Sequence, residues 1–441
     1  MKKKSLFYQI FLSLGLASVT KVVSMTTRII ITRSLSVNAV SIYSLVNPLF
    51  VFFITLTSFS LPTTVSTLVA KYPNKSKKIF LSSLLISLSI CILFIILITF
   101  FSNIIAINLL HNPKTLLNIK LLVLLVPLTC ISSIIKGFFI GKENIILTSS
   151  SSLVEESSRL ISTIVLIGLF LNFNDEIKST FFALVMIIGE VVQTSYLLLS
   201  FGKHYIKKMA KIREIFEVDK NIIKKVFSLS TPLTLSRIIT SFTYMIEPII
   251  ITNILLKLSL DIDEITLNYG ILNSYVMPML NLPNFFCITI CNYLLVKLSS
   301  LISKNKIKDG EKLFYRILIL TFMIGLFFSL IFLFFGDEIL MLVYQVPFGG
   351  KEIKLLSLPF IIFYLETPIN ISMNALDLSS TAFKSSLISS SIRIILLIIL
   401  SKYLGVFSVA LAMLGSIYLD VIINYVHIHL FFKRNNKKIT N

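Results

Sequence analysis

Apolar residues along this chain gather into long runs separated by short polar interruptions, rather than alternating at strand spacing. A run of about 20 mostly apolar residues can cross a bilayer as a helix. Twelve runs reach that length: residues 7–32, 39–70, 79–101, 115–139, 145–171, 179–201, 226–254, 267–297, 313–335, 353–375, 379–401 and 405–432. A lipid-exposed strand would leave its backbone polar groups unpaired, so runs this long predict an all-α, polytopic membrane protein. Pro48 and Pro62 in the second run, and Pro278 and Pro283 in the eighth, predict kinks or tilt there.

The polar interruptions differ in charge. Residues 71–78, 202–225, 298–312 and the carboxyl-terminal KRNNKK are basic, whereas 172–178 and 257–265 are acidic. Basic loops stay on the cytoplasmic side, which predicts cytoplasmic amino and carboxyl termini. The opening Lys2, Lys3 and Lys4 followed by an apolar run imitates a secretory leader. That run continues past the length of a leader, lacks a small-residue cleavage site and carries Lys21 and Arg28, so a retained first helix is expected. The longest connection divides the runs six and six. The expected organisation is an amino-terminal lobe over 1–203, a basic linker over 204–225, a carboxyl-terminal lobe over 226–433 and a basic tail over 434–441. The linker reads as a short amphipathic helix with Ile206, Ile212, Ile215 and Phe216 on its apolar side. Short matches connect the halves. Ser151-Ser152-Leu153 leads to Arg159 as Ser385-Ser386-Leu387 leads to Arg393, and Ala183-Leu184-x-Met186 recurs as Ala410-Leu411-x-Met413. They predict a duplicated bundle whose copies run parallel, related by a pseudo-two-fold axis near the membrane normal.

Composition then narrows the class. The chain is 55% hydrophobic and 14% charged, against about 25% charged residues in soluble domains. The net charge of +20 is accounted for by the basic loops, so no nucleic-acid partner is expected. Cys91, Cys130, Cys287 and Cys291 sit in apolar runs without histidine at metal-ligand spacing, and read as small membrane residues. None of the four histidines, His111, His204, His427 and His429, has a carboxylate at relay spacing. Catalytic triads, zinc spacings and phosphate-cradling glycine loops are missing. These features predict a protein that is not an enzyme and has no cofactor, driven by a sodium or proton gradient, the membrane potential or the substrate's own gradient.

Charges inside the apolar runs carry the chemistry. Those read as lying within the membrane, rather than near the ends of the runs, are Lys21, Arg28, Arg159, Arg237 and Arg393, with Glu155, Glu156, Glu190, Glu247, Glu366 and Asp420. A cation at the bilayer centre costs roughly 2.5–3.5 kcal/mol on insertion scales, so it faces a bundle interior or a wet path and marks function. Lys21 and Arg28, seven residues apart, share one helix face about 10 Å apart. Two such cations suit an extended anion such as a pyrophosphate, since guanidinium groups hold phosphate oxygens bidentately; a structural pairing of Arg28 is the bland alternative. Arg33 falls at an interface where snorkelling explains it. Glu155 precedes Arg159 by four residues, the spacing of an intrahelical pair, which leaves self-neutralisation and function both open. Arg237 and Glu247 lie about 15 Å apart along one helix and cannot meet directly. Glu247, next to Pro248, reads as either a cation or proton site or an interhelical hydrogen-bond partner.

Several of these residues carry a family resemblance. Lys21, Arg28 and Arg33, followed by Ser34-Leu35-Ser36 and Ser41-Ile42-Tyr43, resemble the first helix of the stage V sporulation protein B branch of the multidrug/oligosaccharidyl-lipid/polysaccharide exporter superfamily. Lysine replaces the first arginine of that pattern, and serines replace both glycines. The segment from Leu61-Pro62 to Val69-Ala70 is similar to the end of the family's second span. Gly141-Lys142-Glu143-Asn144 with Glu155 and Arg159 resembles its fifth, and Thr231 to Arg237 through Glu247 its seventh. Members often carry fourteen spans against the twelve read here. The resemblance implies two six-helix lobes around a cavity that opens alternately to each side. It also implies export of an undecaprenyl-pyrophosphate-linked saccharide, a cell-wall, spore-envelope or polysaccharide precursor, across the bacterial cytoplasmic membrane. Lys21, Arg28, Arg159 and Arg237 would then hold substrate, with Glu155 and Glu247 as charge partners or coupling-ion ligands. Membrane lipids would be the other partner, and a monomer suffices. The alternatives are a cation-coupled multidrug exporter of the same architecture and a non-transporting envelope scaffold.

Overall fold

The computed structural model describes residues 6–205 and 220–440, and among them the chain is helical with no strand. Contacts divide it into two compact units, Met1–Met245 and Ile246–Asn441. The division falls inside one unbroken helix, so the expected lobe boundary at 225/226 also lies within that helix. Most of the expected linker and its amphipathic face (Ile206, Ile212, Ile215 and Phe216) lie outside the described residues.

The first unit contains α1 (Leu6–Ser34), α2 (Val37–Ser58), α3 (Leu61–Lys71), α4 (Ser76–Asn103), α5 (Leu116–Gly141), α6 (Ile145–Phe170), α7 (Asp175–Tyr205) and the start of α8 (Lys220–Lys257). Ser36 caps α2, its hydroxyl accepting the Ala39 amide. The second run is broken rather than kinked. Phe59 and Ser60 take positive φ, and Pro62 opens α3, where its missing N–H has no intrahelical partner to lose. Pro48 stays inside α2. Behind α3 and α5 lies a core that includes Leu61, Val65, Phe80, Phe138 and Phe201. Phe80 stacks on Phe201 at 4.7 Å, and Phe138 meets both edge-on.

Two glycines one turn apart set the approach of α3 to α5. A Cβ on Gly137 would stand 2.6 Å from the Pro62 carbonyl oxygen and 2.8 Å from its Cα; one on Gly141 would stand 2.7 Å from the Ser66 carbonyl oxygen. Small residues at this spacing let helix backbones close on each other in a membrane. Gly137→Ala must push backbone rather than a flexible side chain, and is expected to destabilise the protein by about 1–3 kcal/mol. Gly168→Ala, with open space around its Cβ, should leave stability unchanged. All four cysteines are free and buried, so a thiol-reactive dye reads both unfolding temperatures.

The second unit takes the rest of α8 with α9 (Ile262–Gly270), α10 (Met277–Asn281), α11 (Asn284–Ser303), α12 (Ile307–Tyr344), α13 (Gly350–Ser357), α14 (Ile361–Ala375), α15 (Ser379–Leu404) and α16 (Ser408–Thr440). The eighth run is assembled in pieces, passing from α9 through a π-helical turn at Ile271–Val276 into α10, with Pro283 opening α11. Gly325 of α12 seats the Tyr364 ring of α14, whose hydroxyl donates to the Leu280 carbonyl at 2.6 Å.

Among the described residues, eight stretches are long and apolar enough to span a bilayer on length and composition alone, or nine if α13 and α14, bent by 56°, make one. Twelve runs were expected from the sequence, and the difference has physical causes. One stretch, Ser379–Asn436, joins α15 and α16. The helices α1 and α6 have 29 and 26 residues but carry Lys21, Arg28 and Arg33, and Glu155, Glu156 and Arg159. A helix or group of helices covers every one of the twelve runs. Large apolar side chains point outward along them, among them Phe100, Leu199 and Leu342, the pattern of a protein whose solvent is lipid.

Candidate functional site

In the first unit, α1 presents Lys21, Arg28 and Arg33 as exposed side chains, and Arg237 is exposed on α8. Beside them α2 contributes Tyr43, which lies within electrostatic reach of Arg28, Arg159 and Tyr244. Tyr43 is locked in place: its ring stacks on Phe182 at 4.5 Å, and its hydroxyl lies 3.1 Å from Met186 Sδ. Asn47, one turn further along α2, donates to the Tyr244 hydroxyl of α8 at 3.5 Å. Residues of α1, α2, α6 and α8 therefore converge on Tyr43.

Arg159 is less exposed than Arg28 and Arg237. One terminal nitrogen of its guanidinium pairs with Glu155, and the other donates to Glu156 Oε1 at 2.7 Å. Its stem lies flat on Gly189 of α7, where a Cβ would stand 2.5 Å from Cγ. The Ser24 hydroxyl of α1 hydrogen-bonds Glu156. Gln193 of α7 donates to Glu155, and Lys136 of α5 stands 4.0 Å from it. Glu190 accepts from Ser132 at 2.5 Å and feels Glu155, Lys136 and Arg159. This knot ties four helices together with three carboxylates against two cations. Arg159 was grouped with the substrate-binding cations on sequence grounds; here its forked end is already occupied by its own helix.

The second unit has a matching polar interior. Glu247 is 2% exposed and pairs with Arg393 of α15, itself 14% exposed, while the Tyr269 hydroxyl lies 3.5 Å away. The partner of Glu247 is thus Arg393, more than a hundred residues distant in the chain, and its role is an interhelical ion pair. Nearby, Glu366 feels both Asp420 and Arg393. Asp420 accepts from Ser385 at 2.5 Å and from Asn424 at 3.1 Å, and Asn424 also donates to Asn370 at 3.1 Å. Three carboxylates here face one guanidinium. Among the described residues, no group of three or more His, Cys, Asp or Glu is disposed to hold a metal ion.

Sequence reasoning passed over Tyr43, Lys136, Gln193, Asn370 and Asn424 as site residues. Tyr43 lay within the family-like stretch Ser41-Ile42-Tyr43. Lys136, near the end of its run, was not named among the charges inside the runs. Neutral amides inside apolar runs were the signal that was left unread.

Multiple long apolar helices with charged side chains buried among them define a polytopic membrane protein. The chain belongs to the polysaccharide biosynthesis protein family, which matches residues 7–291. It is 27% identical over 435 residues to Stage V sporulation protein B of Bacillus subtilis (strain 168), covering 96% of this chain and 83% of that protein. Among solved structures it is similar to the lipid II flippase MurJ in an inward closed conformation (TM-score 0.71, 16% identity, 95% of this chain and 87% of that one). It is also similar to an inward-facing multidrug resistance MATE family transporter of the MOP superfamily (TM-score 0.70, 11% identity, 98% and 99%). The fold is that of the MOP exporters, as the resemblance of the first helices implied.

Proposed function

We propose that this protein exports an undecaprenyl-pyrophosphate-linked saccharide across the bacterial cytoplasmic membrane by alternating access, with both termini in the cytoplasm. The observation that carries this reading is the division of labour among the cations. The Arg159 and Arg393 guanidinium groups are held by carboxylates, and the Lys21, Arg28 and Arg237 side chains are exposed on α1 and α8, where a solute can reach them. Exposed guanidinium and ammonium groups suit a pyrophosphate, while the prenyl chain stays in lipid. Membership of the polysaccharide biosynthesis protein family supports a saccharide-bearing substrate.

The excess of carboxylates in each unit's interior favours a second component, uptake of a coupling cation. Glu155 with Glu156 and Glu190 would serve in the first unit, and Glu247 with Glu366 and Asp420 in the second. The same excess is what a multidrug exporter of organic cations would use. The two are separated by competition for the purified protein in detergent. Binding of a fluorescent undecaprenyl-pyrophosphate saccharide should be displaced by undecaprenyl pyrophosphate and not by ethidium. Displacement by ethidium alone would assign the chain to drug export.

A further inference from the structure

The first turns of α12 line a hollow of about 460 Å³ with Lys308, Lys312, Tyr315, Arg316 and Ile319, closed on one side by Glu311 and by Asn436 of α16. Lys308, Lys312 and Arg316 are spaced four apart, so they stand in a row on one helix face. Glu311, the carboxylate in the lining, accepts from Asn436 at 2.6 Å. Tyr315 is fixed too, its hydroxyl 3.1 Å from His429 Nδ1 and bonded to Tyr425. Above the row the same face continues as exposed apolar side chains: Ile319 at 62%, Met323 at 55% and Phe327 at 61%. Arg316 to Phe327 is about 16 Å along the helix, close to half of the roughly 30 Å hydrocarbon thickness. A cationic hollow at one end of a leaflet-long apolar stripe is the outline of a single anionic amphiphile.

We propose that this face of α12 is a binding site for an anionic phospholipid of the surrounding bilayer. Its phosphate sits among Lys308, Lys312 and Arg316, and its acyl chains lie along Ile319, Met323 and Phe327. The basic loop 298–312 and the end of α16, which meet here through Glu311 and Asn436, place the site at the cytoplasmic leaflet in the orientation proposed above. Clusters of cations at this level attract anionic headgroups. Such a lipid would tie the start of α12 to the end of α16, and the site is distinct from the cations of α1 and α8.

The chain contains no tryptophan, so Ile319→Trp supplies a single reporter. The variant is reconstituted into mixed phosphatidylglycerol and phosphatidylcholine vesicles in which one lipid or the other carries brominated chains. Quenching should reveal a preference of roughly tenfold or more for phosphatidylglycerol. It should fall to about one with Lys308, Lys312 and Arg316 all changed to Gln, and by a smaller factor with Arg316→Gln alone. A reporter at Phe100, 77% exposed on α4, should show no preference. Equal quenching by the two lipids at position 319, a preference that survives loss of the cations, or the same preference at position 100 would each overturn the site.

Discussion

Arg393→Ala is expected to destabilise the protein by about 3–5 kcal/mol, enough to remove most folded material from the membrane. Glu247 is almost fully enclosed, and among the described residues the contact left to it without Arg393 is the Tyr269 hydroxyl at 3.5 Å. A carboxylate stripped of its cation in a low-dielectric interior has lost the Coulomb attraction that offset its desolvation. Glu247→Ala strands the guanidinium in the same way. Replacing both, with Glu247→Leu and Arg393→Met, removes the two buried charges together and should recover most of the loss, because apolar replacement of a buried pair is often neutral. The measurement is the yield of monodisperse protein and its unfolding temperature by thiol-reactive dye. A double variant as unstable as the singles would show that the pair is held by something other than mutual neutralisation. If Glu247 also serves the coupling cation, the rescued double variant should fold and still fail to respond to an ion gradient.

The opposite pattern is expected at Arg28 and Arg237. Both are exposed, so Arg28→Gln and Arg237→Gln should leave the unfolding temperature near that of the parent. Under the proposed function each would remove a charge-assisted contact with the pyrophosphate, which contributes about 1.5–3 kcal/mol. Affinity for the lipid-linked substrate should therefore fall tenfold or more in each variant, with partial retention in the lysine replacements, which keep charge but lose the fork. Arg159→Gln should behave like the Arg393 variant instead, losing stability through Glu155 and Glu156. Unchanged affinity at both exposed arginines would remove them from the substrate path.

Much of the architecture could be read before any coordinates. Run length and the charge of the loops are sufficient for an all-helical membrane protein, because lipid leaves the backbone few other solutions. Where a helix breaks was less legible. Pro62 and Pro283 mark the places, but the choice between a kink and a fresh helix start depends on Phe59 and Ser60 adopting positive φ and on a π-helical turn, which local composition does not dictate. Pairing was least legible of all. The Glu155–Arg159 contact follows from helical spacing, whereas Glu247 could have met any cation on any neighbouring helix. The sequence reading kept an interhelical hydrogen bond open for Glu247 without naming Arg393, and it counted Arg159 as a substrate ligand. Ion pairs between elements are a property of packing, and packing here is set by glycines such as Gly137, Gly189 and Gly325, whose importance lies in what approaches them.

The most direct measurement of the account is translocation itself. Purified protein is reconstituted into vesicles carrying a fluorescent undecaprenyl-pyrophosphate saccharide, and the fraction protected from an external, membrane-impermeant quencher is followed over time. The account predicts exchange between leaflets in vesicles with the parent protein, accelerated by an imposed proton or sodium gradient and reduced tenfold or more by Arg28→Gln. Exchange no faster than in protein-free vesicles, from protein shown to be folded, would contradict it.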